Sequence, residues 1–161
     1  MIFITVGTQK FQFNRLIQTM DEIVGANKIT EDVFAQIGNC EYIPRNFSYK
    51  RFLDAEEYEK CMKQCNIVIA HSGVATIIKG IQEEKKIIVV PRLKRFGEHV
   101  DDHQRQIADA FEELDFIMQC LDVNQLAEMI SKAKNHTFAK YKSQKDSVIN
   151  TIDIYISTIN G

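Results

Sequence analysis

Apolar residues recur along this chain at two periods, and the alternation between them predicts the fold. Residues 2 to 6, IFITV, form a short apolar run rich in β-formers and ended by Gly7, the pattern of a buried strand. Helical spacing follows: Phe13, Leu16, Ile17, Met20, Ile23 and Val24 predict a helix over 13–25, with Gly25 as its stop. DVFAQI (32–37) reads as a second strand closed by Gly38, and FSYKRF (47–52) as a shorter third. Residues 54–65 predict a helix with Asp54 as N-cap and acidic residues in the first turn, where the helix dipole favours them. NIVIA (66–70) reads as the next strand. A helix over 73–84, a strand over 86–91 ended by Pro91, a polar irregular stretch over 92–102, a helix over 103–114, a strand over 115–121 and a helix over 123–134 complete the alternation.

A last helix is expected over 143–160, where Val148, Ile149, Ile152, Ile156 and Ile159 make one stripe and Ile154 lies off it. Two readings stay open for it, packing on its own sheet or docking on a partner chain. Strands alternating with helices imply βαβ units, so the expected fold class is α/β, a Rossmann-like parallel sheet with helices on both faces. No linker or repeat divides the chain, so one domain over 1–161 is expected.

Bulk properties narrow this only a little. With 161 residues, 45% hydrophobic and 26% charged, the chain has the balance of a soluble globule large enough for a core. A net charge of −2 offers no basic excess, so no nucleic-acid partner is expected. Cys40, Cys61, Cys65 and Cys120 form no Cys-x-x-Cys pair and read as reduced thiols of a cytoplasmic protein. The opening MIFITVG is too short for the apolar core of a signal peptide, and no run approaches the roughly 20 apolar residues of a membrane span.

Chemistry is expected at the carboxyl ends of the strands, where parallel sheets bind ligands. Three polar stretches fall there: Gly7-Thr8-Gln9, His71-Ser72-Gly73, and the run from Pro91 to Gln104. After NIVIA, a helix N-terminus would offer free amides and partial positive charge to an anion. Gly73 would let backbone approach it, Ser72 and Thr76 would add hydroxyls, and His71 an imidazole N–H. The same residues also read as a plain corner, with His71 capping the strand, Ser72 capping the helix and Gly73 easing the turn. In the loop PRLKRFGEHVDDHQ, Phe96 and Val100 are expected to anchor a connection otherwise rich in groups that hydrogen-bond sugar hydroxyls. His99 and His103, at i and i+4, also have a metal-ligand spacing; no metal is expected, because the helix starts near Asp102 and separates the rings.

FITVGT, IVIAHSGVATII and IIVVPRLKRFGEHVDDHQ together resemble the donor-binding half of GT-B glycosyltransferases. The likeness runs over residues 1–120, to small capsule and exopolysaccharide proteins of the PssE type and to the soluble subunit of the dolichol-linked N-acetylglucosaminyltransferase. All stand in family 28, the group that holds the C-terminal domain of MurG. The resemblance implies an inverting transferase that takes a hexosyl or N-acetylhexosaminyl group from a nucleotide-sugar, most often UDP-linked, without a cofactor. It implies a membrane-associated partner subunit that binds a lipid-linked acceptor and holds the chain at the inner face of the membrane. Residue by residue, His71, Ser72, Gly73, Ala75 and Thr76 match the diphosphate loop, with His71 stabilising the leaving group. Gly7 and Thr8 match the first glycine loop, and Phe52 the nucleobase-facing segment. Pro91, Arg92, Glu98, His99, Asp102, His103 and Gln104 match the stretch that meets the donor sugar.

One position departs from the pattern. Where many relatives carry a glutamate for the ribose hydroxyls, six residues after the glycine, this chain has Lys79. An ammonium accepts no hydrogen bond, so ribose recognition must be achieved otherwise. Two rivals remain: a non-catalytic nucleotide-sugar-binding protein that enhances a separate transferase, and a sugar-nucleotide epimerase, for which one half of the architecture is too short.

Overall fold

A computed structural model describes residues 1–141. Its strands are β1 (Ile2–Thr5), β2 (Val33–Gln36), β3 (Ser48–Lys50), β4 (Ile67–Ala70), β5 (Lys86–Val89) and β6 (Met118–Gln119). They form one all-parallel sheet of order β3-β2-β1-β4-β5-β6. Between them run α1 (Asn14–Gly25), α2 (Ala55–Gln64), α3 (Val74–Gln82) and α4 (His103–Glu113), and α5 (Leu126–Asn135) follows β6. This is the expected α/β Rossmann-like architecture. The helix expected over 143–160 lies outside the described residues.

The strict period of two within strands divides the core into two faces. Ile2, Ile4, Ile67, Ile69 and Ile88 point to the layer of α1 and α5. Phe3, Val68 and Ala70 point the other way, to Met62 of α2 and Cys65 just after it, while Ile87 and Val89 meet Ile77 of α3 and Ala108 and Phe111 of α4. β1 and β4 are buried along their whole length. At about 25 cal/mol per Å² of apolar surface, such two-sided burial is what holds the sheet centre rigid.

Asp54 caps α2 as expected, inside a full capping box with Glu57. The differences are local. Gly25 is the last residue of α1, and Asn27 (φ 52°) takes the left-handed position beyond it. The strand expected over 115–121 shrinks to two residues, because Asp115 (φ 57°) and the bond from the Phe116 amide to the Phe111 carbonyl continue the turn that ends α4. The stretch expected to be irregular over 92–102 contains a 3-10 turn at Lys94–Phe96, and another at Val123–Gln125 precedes α5.

This strand order places β1 and β4 side by side with their connections leaving to opposite flanks. The crevice beyond their carboxyl ends is the switch point at which such sheets accept ligands.

Candidate functional site

Two turns meet at that crevice. After β1 the chain reverses at Gly7 (φ 75°), a conformation that favours glycine, and its amide donates to Thr5 Oγ1 at 3.3 Å. Gln36, buried at the end of β2, donates from Nε2 to the Gly7 carbonyl at 3.1 Å and holds the turn. After β4 come His71 and Ser72, then Gly73 at the N-cap of α3.

The His71 ring is lodged between the two glycines. A Cβ on Gly7 would meet its Cε1 at 2.6 Å, and a Cβ on Gly73 would meet its Nε2 at 2.6 Å. At Gly73 the reason for glycine is therefore closeness to the ring, not backbone conformation (φ −72°). Burial pushes the imidazole pKa down to about 4, aided by the nearby Arg92 charge and, more weakly, by His99, while the Thr5 backbone pulls the other way. His71 is thus neutral at physiological pH.

Its Nδ1 and the Ser72 Oγ are buried with no hydrogen-bond partner. Such atoms are costly unless something satisfies them. Nor does any side chain cap α3, whose first-turn amides have no intrahelical acceptor. The reading in which Ser72 caps the helix is set aside by this geometry, since Gly73 holds the cap position. An open cleft of about 730 Å³ lies against these groups, lined by Gly7, Thr8, His71, Gly73, Ala75 and Thr76 and, from α2, by Tyr58 and Glu59. Tyr58 donates to Thr76 Oγ1 at 3.3 Å. An uncapped helix start, hydroxyls and a neutral imidazole at one end of a cleft form an arrangement suited to a phosphate-bearing anion.

The loop after β5 is different. Arg92 is fully buried and donates to the carbonyls of Val6 (2.6 Å), Phe11 (3.0 Å) and Glu98 (3.2 Å). Glu98, also fully buried, accepts both the Nε and Nη2 of Arg15 at 2.9 Å and the Leu93 amide at 3.0 Å. Expected at the donor, both instead tie the loop to β1 and α1, which leaves Glu98 no exposed surface for a sugar and makes Arg92 a clamp on the Gly7 turn. The apolar anchors expected in this loop are corrected too: Val100 is 61% exposed and Phe96 43% exposed, stacked between Arg15 and Arg95.

The remaining expected residues, Pro91, His99, Asp102, His103, Gln104 and Phe52, do not line this cleft. The Pro91 carbonyl accepts from Arg15 at 3.1 Å, and Gln104, buried, accepts the Arg92 amide at 3.1 Å. Asp102 accepts the Lys94 amide at 2.8 Å. His99 and His103 both flank Asp101, at 3.1 and 3.9 Å. Among the described residues no group of three or more His, Cys, Asp and Glu side chains is placed to hold a metal. Phe52 is exposed beside Gly38, past the end of β3. The four cysteines are free; burial raises the pKa of each, that of Cys65 and Cys120 to about 11. They are therefore poor nucleophiles.

Sequence reasoning passed over Gln36, Tyr58 and Glu59. Gln36 carries a signal, a lone carboxamide at the end of an apolar strand. Tyr58 and Glu59 carry none, because a helix rich in Glu and Lys reads as a solvated face.

Three comparisons bear on this site. Residues 1–157 match the model of the glycosyltransferase family 28 C-terminal domain. The UDP-N-acetylglucosamine transferase subunit ALG13 of Mus musculus is 26% identical over 117 residues, 65% of this chain and 10% of that protein. Among solved structures, MurG of Acinetobacter baumannii superposes with a TM-score of 0.54 at 15% identity, over 98% of this chain and 49% of that one. The kitacinnamycin glycotransferase gives 0.63 at 14% identity, over 84% and 35%. The chain thus spans a tenth of the curated relative, and half or less of these two solved chains. At such identities the structural likenesses speak for the fold alone.

Proposed function

The chain belongs to the glycosyltransferase family 28 C-terminal domains, and from that premise we propose that it is the donor-binding half of an inverting glycosyltransferase. The donor is a UDP-linked sugar, UDP being the nucleotide in the name of the ALG13 subunit it resembles. One observation carries the reading: the uncapped N-terminus of α3 stands at the switch point beside two buried polar atoms without partners, His71 Nδ1 and Ser72 Oγ.

In the proposed reaction the diphosphate lies over the amides of Val74, Ala75 and Thr76. An acceptor hydroxyl attacks the anomeric carbon, the bond from that carbon to the diphosphate oxygen breaks, and the hydroxyl proton passes to a general base. Charge develops on the departing diphosphate, where preorganised N–H donors stabilise it. A neutral imidazole, the Thr76 hydroxyl and the helix start supply that stabilisation.

The base is assigned to a partner subunit that binds a lipid-linked acceptor, in capsule or exopolysaccharide synthesis at the inner face of the membrane. One fact favours a partner: the ALG13 protein that this chain resembles is itself named a subunit. No helix among the described residues is long and apolar enough to cross a membrane, so attachment through the partner fits.

The test is a thermal-shift screen with UDP-, GDP- and TDP-sugars. A donor at a hundred times its Kd adds about 2.7 kcal/mol of stability. His71→Ala should abolish the shift, and transfer should require the partner. No shift with any nucleotide-sugar, or an equal shift in His71→Ala, defeats the assignment.

A further inference from the structure

We infer that Glu59, held in place by Lys79, receives the vicinal hydroxyls of the donor's ribose; the inference rests on the diphosphate lying at the start of α3. Glu59 comes from α2, yet it lines the same cleft as His71 and Thr76. Lys79 Nζ bridges both of its carboxylate oxygens, at 3.1 Å to Oε1 and 3.0 Å to Oε2, and also reaches Glu83 at 3.1 Å. The ammonium is thus occupied by two carboxylates and is not a free cation for phosphate. What the cleft gains at this wall is an oriented carboxylate.

The spacing suits a nucleoside diphosphate. Lys79 follows Ala75 by four residues and Thr76 by three, so all three share one face of α3, a turn of about 5.4 Å apart. That separation is comparable to the reach from the inner phosphate of a nucleoside diphosphate to its ribose hydroxyls. Adjacent residues of α2 fix the register, since Tyr58 bonds Thr76 and Glu59 bonds Lys79.

The chemistry suits it as well. An ionised carboxylate only accepts hydrogen bonds, and two neighbouring hydroxyls present two donors to its two oxygens. It would repel phosphate, which keeps the diphosphate at the helix start. Lys79 holds the Glu59 carboxyl below its ordinary pKa range, so the group remains an acceptor. Lys63, 3.4 Å away and largely exposed, is the readily displaced neighbour.

Calorimetric titration of the full chain with UDP and GDP, their 2′-deoxy counterparts and inorganic pyrophosphate tests the inference. The wild type should favour the ribonucleotides by about tenfold, the scale of a hydrogen bond to a charged group. Glu59→Ala should erase that preference by weakening the ribonucleotides alone, with pyrophosphate affinity unchanged. Glu59→Gln should lie between, and Lys79→Met should blur the preference by freeing the carboxylate. The pair is part-exposed, so its loss leaves folding nearly intact, and coincident thermal melts check this. A ribose preference that survives Glu59→Ala, or is missing from the wild type while pyrophosphate binding still depends on His71, overturns this inference alone. Binding of nothing by the wild type, or equal binding by His71→Ala, overturns the diphosphate site and this inference with it.

Discussion

Two polar corners of this molecule read alike as sequence and differ in what their polar atoms do. At the end of β4, His71 and Ser72 are buried with atoms that meet no partner, and His71 lines an open cleft. In the loop after β5, Arg92 and Glu98 are buried as deeply, but between them they engage Val6, Phe11, Leu93 and Arg15. A corner whose donors and acceptors are nearly all matched, with Arg92 Nε left over, holds the chain together. A corner left unmatched is available to a ligand. Unmatched atoms next to an open cleft, not polarity, separate site from scaffold.

Three experiments press on that contrast. The largest effect belongs to the scaffold. Glu98→Ala leaves the Arg15 guanidinium and the Leu93 amide without their carboxylate, and breaking a buried pair in this way costs about 3–5 kcal/mol. Urea unfolding should record that loss. A loss under 1 kcal/mol would mean that the loop does not depend on the ion pair.

The next effect belongs to His71 and is read through pH. Its folded pKa, about 4, lies below the ordinary histidine value of 6.5. Above pH 6.5 both folded and unfolded forms are neutral and the residue adds no pH dependence. As pH falls from 6.5 toward 4 the unfolded chain binds a proton that the folded chain refuses, so stability declines, by about 3 kcal/mol over the window. His71→Asn should show a decline smaller by that amount when both melts are followed across the window. Parallel curves for the two proteins would contradict the buried, neutral ring.

The smallest effect sharpens the site. Gly73→Ala suits the backbone at φ −72° but sets a methyl 2.6 Å from His71 Nε2. The ring must shift, and donor affinity should fall by about tenfold, or 1.4 kcal/mol, while the melting temperature barely changes. Unaltered affinity would show that the ring's position between the glycines is irrelevant to binding.

Much of the fold was legible along the chain. IFITV and NIVIA announce central strands because residues covered on both faces leave no polar alternation, and DAEEYEKCMKQC announces both its helix and its cap. The strand near 115 was overestimated, since Phe116 and Ile117 are apolar for the sake of the α4 contact and not of a long strand. Of the cleft, Gly7, His71, Gly73 and Thr76 could be picked out as polar or small residues at strand ends. Glu59 could not, because nothing in an acidic helix marks which carboxylate faces a cavity.

The sequence alone therefore determined what depends on near neighbours: strand and helix periods, caps, and the strand ends at which chemistry must lie. Tertiary structure alone decided which polar groups are satisfied. Arg15 meets Glu98 across 83 positions, Arg92 meets Val6 across 86, and Lys79 meets Glu59 across 20. Backbone geometry repeats every two or 3.6 residues and prints its period on the chain. A hydrogen bond between distant segments has no period, and exists only once the sheet has brought its two ends together.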